Sequence, residues 1–138
     1  MIGGLRGVAA RRSTHLALGG VLLLGVSACG LDASDTSWQE AAALTGGDPR
    51  VGRVLIRDYG CGSCHTVPGV AGADARVGPP LTGLSQRMYI AGVLPNEPNN
   101  LVRWIVDPPA VDSLTAMPRV GVSEQEARDI AAYLYGMD

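Results

Sequence analysis

The chain has 138 residues, with 11 Arg, no Lys and 13 acidic residues, for a formal charge of −2. That length suits one domain rather than two. The charge balance excludes the basic patch that nucleic-acid binding requires and the basic face that would dock on anionic lipid.

Arg6, Arg11 and Arg12 precede an apolar run from Leu16 to Val26. Its 11 residues are too few for a spanning helix, which needs roughly 17 or more. A basic start, a short apolar stretch and the small residues Ser27-Ala28 predict an export signal over residues 1–28. Thr14 and His15 stand where twin-arginine export wants apolar residues, which disfavours that route. Beyond residue 28 the chain carries 8 Arg against 13 acidic residues, a formal charge of −5. Residues 29–47 are polar and Ala-rich and read as a linker. Within it Ser37-Trp38-Gln39-Glu40 fits a capping box, so a short helix from Ser37 and a loose tether are equally compatible.

Asp48-Pro49 predicts a helix start, a capping residue followed by Pro in the first turn. Gly52, Leu55, Ile56 and Tyr59 recur at helical spacing, and Gly60 ends the helix. Residues 66–86 are rich in Gly and Pro and read as loop. Asn99 or Asn100 is expected to cap a third helix with Leu101, Trp104 and Ile105 on one side, stopped by Pro108. Residues 108–121 read as a stiff loop holding Pro108, Pro109 and Pro118. Ser123-Glu124-Gln125-Glu126 is a second capping box, and Ala127, Ile130, Ala131 and Leu134 follow at the spacing of one buried face. Period-two alternation is absent, so the expected class is all-α, with the domain over residues 48–138.

Cys61-Gly62-Ser63-Cys64-His65 carries the chemistry. Two cysteines three apart on a turn can bond two neighbouring vinyl groups on one haem edge, and the next residue is then held beneath the iron. Three other uses of such a pair are open. A thioredoxin-like redox pair expects a βαβ setting. Structural zinc wants four Cys or His ligands. An iron–sulfur cluster needs about four cysteines.

With the attachment motif come further pieces in order, and the chain resembles class I mono-haem cytochromes c over residues 48–137. Gly78-Pro79-Pro80-Leu81-Thr82-Gly83-Leu84 is similar to the family's Gly-Pro-x-Leu-x-Gly loop. The resemblance implies that the Pro79 carbonyl accepts from the outer ring nitrogen of His65, which orients the ring and raises its basicity. Leu101 to Pro108 resembles the segment leading to the second iron ligand, with Trp104 among the cofactor-binding residues, and Ala116-Met117-Pro118 matches the ligand itself. Asp129 to Leu134 is like the closing helix, whose aromatic, here Tyr133, would pack on Gly52. Arg87 stands where some relatives place an arginine near a haem propionate. The stretch Arg87 to Asn96 is similar to cytochromes associated with bacterial terminal oxidases. The implied fold is a small cytochrome c fold, helices and loops wrapped around one covalent haem c.

Elimination also favours Met117 as sixth ligand. His15 leaves with the signal, Lys is absent, and Met88, Met117, Met137, a tyrosine or water remain. Met137 is one residue from the end of the chain, Met88 stands in an irregular stretch where packing is its ordinary use, and Met117 lies in a loop stiffened by Pro109 and Pro118. Separately, Val26-Ser27-Ala28-Cys29 resembles a bacterial lipoprotein signal, which would make Cys29 the lipidation site and account for an odd cysteine in an exported chain.

The expected protein is an electron carrier rather than an enzyme. It is exported and lipid-anchored to a membrane facing the periplasm or cell exterior. Its expected partners are membrane redox complexes such as a terminal oxidase or a quinol-oxidising complex, with no nucleic acid. The rival expectation is an open-site haem protein that binds gas or peroxide.

Overall fold

The computed structural model describes residues 33–137, together with Gly3. The export signal of residues 1–28 and Cys29 therefore lie outside the described residues, Gly3 apart. Among the described residues, five helices and one small hairpin follow in order. They are α1 (Ala33–Thr45), α2 (Pro49–Asp58), β1 (Tyr89–Ile90), β2 (Leu94–Pro95), α3 (Pro98–Val106), α4 (Pro108–Val111) and α5 (Glu124–Gly136). A single 3₁₀ turn, Cys61–Ser63, follows α2. No helix among the described residues is long and apolar enough to cross a membrane.

α2 begins as its sequence dictates. The Asp48 side chain accepts from Arg50 N at 2.8 Å, and Pro49 takes the first-turn position where no amide is needed. The Asp48 amide donates to Asp129 Oδ1 at 2.8 Å, which ties the start of α2 to α5. Gly60, at φ 70°, takes the left-handed conformation that ends the helix. α5 opens on the full capping box, Ser123 and Glu126 each satisfying the other's backbone amide.

α2 crosses α5 in the most extensive packing of the fold, and α1 and α3 also pack on α5. Gly52 makes the α2–α5 crossing possible, because a Cβ there would sit 1.9 Å from Asp129 O. The nearest atoms to that position are main-chain atoms of Asp129 and Ile130, so the two helices meet backbone to backbone. Tyr133 stacks on Trp38 of α1, with ring centroids 5.3 Å apart, and donates to Pro68 O at 2.7 Å.

Four elements differ from the sequence expectation. Ser37 is interior to α1 rather than its cap, and residues 33–45 are helix packed on α5 rather than a loose tether. α3 starts at Pro98 with Glu97 before it, so Asn99 and Asn100 fall in its first turn. Residues 108–111 form one helical turn, entered through Pro108 and capped by Asp107 accepting from Ala110 N. Residues 89–95 form a hairpin whose turn uses positive φ at both Ala91 and Gly92. With strands of two residues each, the hairpin leaves the mostly helical class unchanged.

One apolar cluster fills the centre, including Ile56, Leu84, Leu101, Trp104, Ile105, Ile130 and Leu134. Leu55, Tyr59, Cys61, Leu81, Leu94 and Met117 are half-buried against it. The motif loops therefore share a single core with the helices.

Candidate functional site

The site grows from the end of α2. Gly60 turns the chain, and the 3₁₀ turn brings both Cys64 N and His65 N onto Cys61 O, at 3.2 and 3.0 Å. Gly62 lies against Ala73, where a Cβ would come within 2.8 Å, so this turn admits no side chain at that position. Cys61 and Cys64 are half-buried and are not joined in a disulfide. Burial pushes the Cys61 thiol up, and the neighbouring Cys64 adds to the shift. A redox nucleophile of the thioredoxin type needs the opposite shift, towards thiolate. Among the described residues no group of three or more His, Cys, Asp or Glu side chains could hold a metal ion, which leaves structural zinc without a ligand set.

His65 is fixed from two sides. Its Nδ1 lies 2.7 Å from Pro79 O, the contact that the family resemblance implies. That bond puts a proton on Nδ1 and leaves the Nε2 lone pair free to bind a metal. Gly78 lies flat against the ring, and a Cβ there would meet His65 Cε1 at 2.5 Å. The loop is pinned to the motif by two main-chain bonds, Gly78 N to Cys64 O at 2.8 Å and Leu81 N to Thr66 O at 2.9 Å.

These residues fit a covalent haem. Two thiols stand on one turn, and one imidazole is orientated with its metal-binding nitrogen free. Apolar surface lies beside the motif segments: Val77, next to Gly78, is 82% exposed, and Leu114, three residues before Met117, is 91% exposed. A large flat apolar group is what such side chains would pack against. Two surface depressions, of about 850 and 490 Å³, lie elsewhere, one along α1 and α2 and one beside α3 and α4.

The family described as Cytochrome c matches residues 50–138. The chain belongs to the cytochrome c family. A relative in Alkalihalophilus pseudofirmus, cytochrome c oxidase subunit 2, is 36% identical over 84 residues, covering 60% of this chain and 24% of the relative. This cytochrome thus spans much less than the relative's full length. No solved structure matches it. Family membership carries haem c binding and electron transfer.

The remaining predicted site residues are placed as follows. Met117 is half-buried against the core, its amide on Thr115 Oγ1 at 3.1 Å, whereas Met88 is 80% exposed. Trp104 is buried in the core cluster beside Leu101 and Ile105. Arg87 directs its guanidinium at two main-chain carbonyls of the Pro79 loop, Pro80 O and, at 2.8 Å, Thr82 O. Sequence reasoning missed Asn96, which donates to Leu84 O at 2.7 Å and Arg87 O at 2.8 Å and accepts from Tyr135 at 2.7 Å. It also treated Gly78 as part of a motif only. Contact with the His65 ring gives that glycine its reason.

Proposed function

We propose that this cytochrome is a membrane-tethered, mono-haem electron carrier that passes single electrons between respiratory membrane complexes. Haem supplies an iron that cycles between ferric and ferrous. Cys61 and Cys64 would hold it covalently, and His65 and Met117 would supply the ligands to its iron. The observation that carries the reading is His65, held by Pro79 O at 2.7 Å and by contact with Gly78, directly after the cysteine turn.

His/Met ligation raises the potential and suits electron transfer. It also closes the iron to small ligands, which makes the protein a carrier rather than an enzyme. Exported through residues 1–28, the chain is anchored by acylated Cys29 to a membrane facing the periplasm or cell exterior. The anchor confines the haem near membrane partners and raises its effective concentration there. An oxidase is the favoured partner, supported by 36% identity to a protein named as an oxidase subunit.

Haem staining after a denaturing gel tests the reading. Haem should stay on the chain, and Cys61→Ala or Cys64→Ala should sharply reduce it. A chain that runs free of haem, from cells able to mature cytochromes c, would overturn the proposal.

A further inference from the structure

We propose that the β1–β2 hairpin is a membrane-contacting tip, seated at the headgroup–acyl boundary of an uncharged lipid surface beside the acyl chains of Cys29. Its role depends on the Cys29 tether that the proposed function includes. From Met88 to Pro95 the chain carries no charged side chain, and the Tyr89 hydroxyl is its only polar one. Met88 is 80% exposed, Tyr89 55% and Val93 47%. Strand alternation divides the faces: Ile90 is buried in the core, and its neighbour Tyr89 faces outward.

The turn runs against its own local chemistry. Ala91 at φ 51° and Gly92 at φ 76° both take the left-handed region, where a hairpin in water favours Asn, Asp or Gly. Ala91 is the only non-Gly residue of positive φ among the described residues, and its Cβ makes that conformation costly. What alanine supplies is an apolar crest. With Tyr89 and Val93 it forms an exposed surface that suits lipid and gains nothing in water. An uncharged surface is the matching one, because no Arg lies between residues 88 and 95 to recruit anionic headgroups. Tyr89 carries the amphipathic ring favoured at a membrane–water boundary.

The fold puts this tip at the same end of the molecule as the tether. α1 pairs with α5 in reverse order: Ser37 Oγ donates to Gly136 O at 3.2 Å, and Arg128 Nη1 donates to Thr45 O at 3.2 Å. α3 runs the same way. Asn96, two residues before it, accepts from Tyr135 at 2.7 Å, whereas Asp107, just past its other end, lines one depression with Glu124. The first turns of α1 and α3 therefore both lie at the last turn of α5. Cys29 is four residues from Ala33, a span of at most about 14 Å. Ala91 is five residues from Asn96, a comparable reach, so one lipid surface can hold both anchor and tip.

The test uses the full-length, acylated, haem-loaded protein on vesicles of phosphatidylcholine alone. Val93→Cys and Glu124→Cys, at opposite ends of the molecule, each carry one nitroxide, since haem and acyl groups occupy the native cysteines. Electron paramagnetic resonance then reads collisions with oxygen and with a water-soluble nickel chelate. Nickel accessibility should be several-fold lower at residue 93 than at residue 124, and oxygen accessibility higher. Where a variant yields too little protein, hydrogen exchange of the wild type reads the same contact. Residues 89–95 should exchange several-fold more slowly on the vesicles than in unacylated Cys29→Ser protein, with residues 113–121 unchanged. Equal nickel accessibility at the two positions, or unchanged exchange over 89–95, in protein that floats with the vesicles overturns the inference alone. Protection that appears only after a membrane protein is added to the vesicles overturns it too, because the occupant is then protein. A wild type that does not float with the vesicles overturns the tether and the inference together, so the two failures are distinct.

Discussion

Gly78→Ala sets two physical effects against each other. Gly78 does not adopt a positive φ, so its backbone conformation is open to alanine. Stiffening the unfolded chain should then stabilise the protein by about 0.4–1 kcal/mol. The structure predicts the reverse sign. The new Cβ would stand 2.5 Å from His65 Cε1 and 2.8 Å from Nδ1. Reaching an ordinary contact of 3.4 Å requires the ring to retreat by roughly 0.9 Å. Gly78 cannot give way instead, because its amide is bonded to Cys64 O at 2.8 Å.

A retreat of that size is enough to take the 2.7 Å bond from Nδ1 to Pro79 O beyond hydrogen-bond range. Losing that bond costs about 1 kcal/mol, and the overpacking adds about 1–3 kcal/mol. The entropic gain offsets less than half of this, leaving a net loss of roughly 1–3 kcal/mol. For a domain of this size that corresponds to a fall in melting temperature of roughly 5–20 °C. Thermal unfolding of the haem-loaded protein, followed by far-ultraviolet circular dichroism, gives the number directly. A melting temperature equal to or above that of the wild type would refute the contact between Gly78 and the His65 ring.

The other perturbations probe separate parts of the molecule. Gly52→Ala places a Cβ 1.9 Å from a main-chain oxygen of α5, so it should destabilise by about 2 kcal/mol or more in urea unfolding, against the ~1 kcal/mol gain expected on an exposed helix. Met117→Ala should abolish the weak long-wavelength absorption band of a sulfur–ferric bond and let carbon monoxide bind the reduced protein, while Met88→Ala should leave both unchanged. Cys29→Ser should release the cytochrome from membranes or block its processing, read by fractionation with and without detergent. Burial pushes Tyr135 up to about 12 from 10.0, and Glu97 adds to the shift. Its stabilising contribution is therefore complete below pH 10 and lost as the pH rises through 12, a slope that Tyr135→Phe should flatten in melting curves.

What the sequence disclosed was chemistry written within a few residues. Asp48-Pro49 and the Ser123–Glu126 box act across one to three positions, and both helix starts are where those pairs put them. Cys61 to His65 is equally local. α3 went astray for a local reason as well: Asn99 and Asn100 look like caps, yet Pro98 begins the helix and Glu97 precedes it without any side-chain cap bond. Proline's preset φ outweighed asparagine's capping ability at this start.

α1 shows the opposite case. Nothing within residues 33–45 requires a packed helix, because Trp38 and Leu44 are its only large apolar residues and the capping box at Ser37 points to a start inside the segment. Its partners lie about a hundred residues away. Trp38 stacks on Tyr133, Ser37 Oγ donates to Gly136 O at 3.2 Å, and Gly136 lets the Trp38 ring approach where a Cβ would meet it at 2.4 Å. The same distance in sequence hid the hydrogen bonds around Arg87. Their donor, their carbonyl acceptors and Asn96 fall within residues 80–96, but Tyr135, which fixes Asn96, belongs to the last helix. A motif names the residues that touch the haem. The residues that hold those in place are chosen by the crossing of α2, α1 and α5, and a close crossing is specified by the absence of a side chain, at Gly52 and Gly136, which carries no periodic signal of its own.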